Sequence, residues 1–301
     1  MKKISFILGL LIVSLLSCKN NDKNITPEIL EIEKKISDGD QKQLVDQLNK
    51  KYMELLSDSS LTDKDKMKIT DRAYNFFKKE HFTAISSNYL YEFLKNYKSG
   101  DRLEKIKEFI DMLDKDGNKE LSILMRRLYK TSYPEDKTYI AGFDKLSSAD
   151  IDFDLYLKSV AEKMYNNMET SGSLDLLQAR NYINSCEIYA IMNPENQNTA
   201  KYLFMGAQVA QNIRMFEKTV ELFDWILLKY PDFKKAESVL FIKGFVLDNE
   251  LKRTDDARKV YNEFLKKYPK SDYADDVKTS LEYLGMSNDE IIKSIENKSK
   301  K

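Results

Sequence analysis

The stretch FLKKYPKSDYA at 264–274 repeats in kind ILLKYPDFKKA at 226–236, 38 residues earlier. The same offset places Gly206 on Gly244, Thr219 on Ala257, Phe223 on Tyr261 and Lys229-Tyr230-Pro231 on Lys267-Tyr268-Pro269. Ile226 falls on Phe264 and Leu227 on Leu265, while Glu217 meets Asp255 and Asp224 meets Asn262. A chain with such a period builds one supersecondary unit per repeat, and each unit buries its apolar face only by stacking on the next. Continuing the offset takes Ala236 onto Ala274 and Val239 onto Val277, but Gly244 onto Glu282. The last helix is therefore expected to cap the array.

The units themselves read as helical. Thr219, Phe223, Ile226, Leu227 and Tyr230 make one stripe at helical spacing, and Ala257, Tyr261, Phe264, Leu265 and Tyr268 make the next. Elsewhere Leu44, Leu48, Tyr52 and Leu55 mark an apolar helix face. Helical segments follow at roughly 64–79, 82–97, 102–114, 119–132, 150–168 and 175–192, with breaks at Ser99-Gly100-Asp101, Asp116-Gly117-Asn118, ETSGS and Asn193-Pro194. Such short breaks make successive helices antiparallel neighbours. Only 9 Gly and 5 Pro occur in 301 residues, and no alternating strand of useful length is present. The expected fold is all-α, antiparallel helix pairs stacked as an α-solenoid without significant sheet.

The pattern resembles the tetratricopeptide repeat. That family places a small residue in its first helix, a small residue early in the second, an aromatic one turn later and a closing proline. Gly244, Ala257, Tyr261 and Pro269 fill these places, preceded by Gly206, Thr219, Phe223 and Pro231. The match departs from the family in its period, 38 rather than 34, and in its Gly-to-Pro spacing of 25 rather than 24. It is drawn over about 199–285. In 150–194, Tyr182 stands where a small residue is expected, and in 40–135 the likeness is helix-pair length alone.

The N-terminus, MKKISFILGLLIVSLLSCKNND, sets two lysines before an uncharged stretch from Ile4 to Ser17. That stretch is shorter than the ~20 residues that span a bilayer. It ends on Leu15-Leu16-Ser17-Cys18, which resembles the bacterial lipobox. The resemblance implies that residues 1–17 are removed and that Cys18 is lipidated; an ordinary secretory signal or membrane anchor is the alternative. Lys19 after Cys18 implies an outer-membrane destination. KNNDKN lacks an acidic surface-export run, so a periplasm-facing location is expected, with cell-surface exposure as the alternative. The domain reading is then 1–17 signal peptide, 18–40 lipidated Cys18 and tether, 41–135 N-terminal helical hairpins, 136–195 divergent helix pair, 196–285 repeats with capping helix, and 286–301 short terminal helix and polar tail.

Chemistry-bearing constellations are scarce. Net charge is +0, which gives no basic field for nucleic acid, and His81 is the sole histidine. Asp114, Asp116 and Asn118 imitate a calcium loop, but Lys119 and Met125 occupy places that such a loop gives to Gly and to a bidentate carboxylate. A helix–helix turn is expected there, with no metal and no cofactor. Cys186 is expected as a buried thiol inside a helix, and Ser287 with Glu290 as a capping box.

Partner binding is expected on the first helices. The resemblance places Leu203, Ala207, Phe241 and Phe245 in a concave, apolar groove; ordinary inter-repeat packing is the alternative for the two phenylalanines. Trp225 corresponds to Glu263 in the next repeat, so it reads either as an exposed anchor or as packed on the following helix. The function expected is a non-enzymatic, lipid-anchored adaptor that binds envelope proteins. Its relatives in kind are repeat lipoproteins of outer-membrane assembly or maintenance. A nutrient-capture lipoprotein is the alternative, drawing on 18 Tyr, 15 Phe and 1 Trp to stack on glycans or hold peptides, and an enzyme within 40–195 is a third reading.

Overall fold

Four of the five prolines follow a residue that closes a helix, and the fifth, Pro27, opens one. A proline disfavours helical backbone in the residue before it, so the helix ends there. The computed structural model describes residues 24–39, 42–98, 101–143, 151–166, 172–287, 289–290 and 292–293. The expected leader, Cys18 and residues 99–100, where a break is expected, lie outside these. Among the described residues there are fourteen α-helices and no strand, so the fold is all-α. The chain divides into two units, Met1–Arg102 and Leu103–Lys301.

The first unit holds α1 (Pro27–Ser37), α2 (Lys42–Leu56), α3 (Asp63–Lys79) and α4 (Thr83–Asn96). Helix α1 starts at Pro27, within the segment 18–40. Thr26 supplies the reason: its Oγ1 accepts from Ile29 N–H at 3.3 Å, and proline takes the first helical position, where no amide donor is needed. Ile29, Ile32 and Ile36 then point inward. They join a core with Leu48, Tyr52, Phe77 and Tyr89, in which the Phe77 and Tyr89 rings stack 5.7 Å apart. At the far end, buried Arg102 donates Nη1 to the carbonyls of Leu94 and Tyr97, at 2.5 and 2.6 Å, closing α4.

The second unit continues with α5 (Arg102–Lys115), which starts at the boundary, α6 (Lys119–Ser132), α7 (Lys137–Ile140), α8 (Phe153–Tyr165) and α9 (Leu176–Met192). Then come α10 (Thr199–Asn212), α11 (Phe216–Lys229), α12 (Ala236–Phe245), α13 (Thr254–Lys267) and α14 (Ala274–Tyr283). A π turn, Val246–Glu250, prolongs α12. From α9 to α14 each helix packs on the next, and α9 also packs on α6 and α8, a solenoid-like arrangement. Both predicted stripes are inside: Thr219, Phe223, Ile226, Ala257, Tyr261 and Phe264 are buried, and Leu227, Tyr230, Leu265 and Tyr268 half-buried.

Two kinds of turn alternate through the repeats. The closing residues Tyr133, Asn193, Tyr230 and Tyr268 share φ near −130° and ψ near 55°, each with its N–H on the carbonyl four residues back. From Asn193, Tyr230 and Tyr268 the backbone makes the same two successive turns, reaching Thr199, Ala236 and Ala274. The repeating path therefore begins at the end of α9, before the stretch over which the sequence match is drawn. Tyr230 also reaches back, donating its hydroxyl to the Pro194 carbonyl at 3.0 Å. The Tyr of Lys-Tyr-Pro thus ties one proline turn to the preceding one.

Within each pair the turn needs a left-handed residue. Gly117 supplies it between α5 and α6 (φ 77°), but Arg214 and Lys252 do so at 61° and 56°. Such a conformation costs a residue with a Cβ about 1–2 kcal/mol. Lys252 is exposed, so Lys252→Gly is expected to stabilise the chain by about 1 kcal/mol, read as a raised thermal midpoint. An unchanged or lowered midpoint contradicts this.

Gly117 N–H bonds Asp114 O at 3.1 Å and Asn118 N–H bonds Leu113 O at 2.8 Å, a helix-closing turn, and the Asp114 carboxylate is engaged by Arg126. That accounts for the calcium-like spelling. Near the C-terminus, Glu290 Oε2 accepts from both Ser287 N–H and Ser287 Oγ at 2.7 Å, while Glu290 N–H reaches Ser287 Oγ at 3.4 Å. This is the expected capping box.

Candidate functional site

Of the two repeat glycines, Gly244 packs against the second helix of its own pair. A Cβ on Gly244 would stand 2.5 Å from Tyr261 Cε1, so α12 and α13 meet there without room for a side chain. Gly206 faces the other way: its nearest neighbours are Cβ and Sγ of Cys186 on the preceding helix α9, at 3.2 and 3.5 Å from the Cβ position. Cys186 is the expected buried thiol, and burial raises its pKa well above the ordinary range, with the Glu187 charge acting the same way.

This difference corrects the predicted groove. Leu203 and Ala207 flank Gly206, so they are sealed with it against neighbouring helices, and both are 0% exposed. Neither lines an accessible surface. Trp225 is 4% exposed and is no surface anchor; its counterpart Glu263 is exposed and pairs with Lys267 at 2.6 Å. Equivalent positions in the two repeats have different surroundings, which defeats inference from one to the other. Phe241 is half-buried, its ring stacked on Tyr273 at 4.7 Å and 6.2 Å from Phe264. Phe245, at the end of α12, is 43% exposed. Of the five residues expected to bind a partner, Phe245 alone is exposed. Cys18 lies outside the described residues.

The first unit carries a polar centre that has no local signature in the sequence. Glu33 on α1 is 7% exposed, yet its carboxylate accepts from three donors on two other helices. Arg72 on α3 gives Nε at 3.1 Å and Nη2 at 2.6 Å, and the Tyr52 hydroxyl on α2 gives a third bond. Burial is the largest cause raising the Tyr52 phenol far above its usual range, followed by the Glu33 charge and hydrogen bond. The Glu33 bond holds Arg72 firmly protonated against a smaller opposing effect of burial. Tyr52 and Arg72 lie 19 and 39 residues from Glu33, so only the tertiary fold unites them.

Above this centre lies a cleft of about 570 Å3 between Glu33 of α1 and one face of α3. Along α3 its lining runs from Lys68 through Asp71, Arg72, Asn75 and Phe76 to Lys79. Asn75 donates Nδ2 to Asp71 at 3.1 Å. Because Arg72 uses its Nε–Nη2 edge for Glu33, the Nη1 side of the planar group faces away from that carboxylate.

A second carboxylate, Asp136, anchors the turn after α6. It accepts from Tyr129 Oη at 2.7 Å and Lys107 Nζ at 2.9 Å, and these bonds, Tyr129 first, keep its pKa low. Its other oxygen accepts from Tyr139 N–H at 3.2 Å, and Lys107 also holds Glu104 at 2.8 Å. Among the described residues no group of three or more His, Cys, Asp or Glu is placed to hold a metal ion. Compared with protein-family models, with characterised proteins and with solved structures, the chain matches none.

Proposed function

We propose that this chain is a lipid-anchored adaptor of the bacterial envelope that holds partner proteins on its helical repeats. The observation that carries this reading is how the repeat unit spends its aromatic residues. Phe223, Tyr261 and Phe264 go entirely into packing, while Phe245 stands 43% exposed at the end of a first helix. An exposed apolar side chain on a helical scaffold suits a protein partner. The lipobox-like Cys18 supplies the tether to the outer membrane, facing the periplasm, and no catalytic role is assigned.

The glycan-capture alternative draws on the same aromatics, and their burial weighs against it. Tyr52, Tyr74, Tyr129 and Tyr261 are among the most buried side chains and offer no face to a sugar. Crosslinking in intact cells is expected to trap a defined envelope protein on the wild-type chain. Phe245→Asp should lower that adduct at least tenfold with an unchanged denaturation midpoint, because an exposed side chain contributes little to folding. An undiminished adduct contradicts the proposal. Heat released with an oligosaccharide in calorimetry would favour nutrient capture.

A further inference from the structure

We infer that the α1–α3 cleft of the first unit is a second binding site, for an extended acidic peptide segment with an apolar side chain at its middle. Three observations define the occupant. The first is a pre-set cation. Arg72 is fixed by two bonds to Glu33, which Tyr52 holds in turn, so the guanidinium needs no ordering when a ligand arrives. Its Nη1 side remains for a carboxylate, the group whose geometry best matches a planar guanidinium.

The second observation is length. Lys68, Arg72 and Lys79 lie along one helix, and at 1.5 Å per residue the outer two are about 16 Å apart. A free carboxylate or phosphate ion cannot engage all three at once. An extended chain rises about 3.3 Å per residue, so about five residues span the row. The third is the pattern of the wall. Phe76 is half-buried between Arg72 and Lys79 and offers an apolar contact. Asp71 and Asn75, held together at 3.1 Å, present oxygens that suit the amide donors of an extended backbone. The lining sets the cationic side chains of Lys68, Arg72 and Lys79 in one row beside the carboxylates of Glu33 and Asp71. Lys79 also holds Glu80 at 3.1 Å but stays 74% exposed.

This cleft is independent of the surface at Phe245, so either site can fail its test without the other. The test uses the full chain and a capped, fluorescein-labelled Asp-Glu-Phe-Glu-Asp peptide, with Asn-Gln-Phe-Gln-Asn as the neutral counterpart. Fluorescence anisotropy at low ionic strength is expected to give at least tenfold tighter binding of the acidic peptide. Lys68→Glu combined with Lys79→Glu, both exposed positions, should remove that preference without moving the denaturation midpoint. Equal affinity for both peptides overturns the assignment, as does unchanged binding by the double variant. Displacement by inorganic phosphate at the peptide's own concentration would assign the cleft to a small anion instead. Binding to anionic phosphatidylglycerol vesicles that the double variant loses, with no peptide binding, would assign it to a membrane.

Discussion

Replacing Arg72 with methionine is expected to destabilise the chain by about 3–4 kcal/mol, the largest effect of any single substitution considered. The loss comes from what is left behind. Glu33 is 7% exposed, and without Arg72 its carboxylate keeps the Tyr52 hydroxyl as its remaining bond from this network. Removing one partner of a buried ion pair costs about 3–5 kcal/mol, mostly the penalty of the stranded charge. Glu33→Leu should cost less, about 2 kcal/mol, because the Arg72 side chain is already 28% exposed and can turn to water. Combining Glu33→Leu, Arg72→Met and Tyr52→Phe removes every member of the network. That triple variant is expected within about 1 kcal/mol of wild type, since an apolar replacement often matches a buried pair. Urea denaturation of the four proteins checks this order, and a triple variant as unstable as Arg72→Met would contradict it.

The second large effect is expected at Gly244. An alanine Cβ there would lie 2.5 and 2.7 Å from two carbons of the Tyr261 ring, which is 0% exposed and has nowhere to move. Overpacking of this kind costs about 1–3 kcal/mol, partly offset by about 1 kcal/mol of helix propensity gained on leaving glycine. The 2.5 Å approach puts Gly244→Ala at the upper end of that range, a net loss of about 2 kcal/mol. Gly206→Ala meets Cys186 at 3.2 and 3.5 Å, a milder contact, so propensity and crowding should nearly cancel. The comparison is informative because the sequence offset treats the two glycines as equivalent. Gly244→Ala paired with Tyr261→Leu should recover much of the loss, a coupling that a double-mutant cycle reads directly. Equal midpoints for the two alanine variants would contradict the close approach of α12 and α13.

The architecture was legible because helices leave a period in sequence. Thr219, Phe223 and Ile226 are inside as their spacing predicts, and Lys-Tyr-Pro closes α11 and α13 with the same backbone angles. Asn193-Pro194 closes α9 in the same way, and there the chemistry differs while the path does not. Exposure was far less legible. Whether Leu203, Ala207 or Trp225 reaches water depends on which neighbouring helix covers it, and a period cannot say that. Gly206 turned toward α9 and took its flanking residues with it. The polar centre of the first unit was hidden for a different reason. Its three members come from three helices, and none carries a local motif.

The adaptor proposed here binds its partner through the surface at Phe245 of the last repeat. A photo-activated side chain placed at 245 in the full chain, and separately at 228, tests this in intact cells. Leu228 is 72% exposed but lies on the second helix α11, so it controls for mere exposure. One discrete adduct is expected from position 245 and none from 228. No adduct from 245, or equal adducts from both positions, would contradict it.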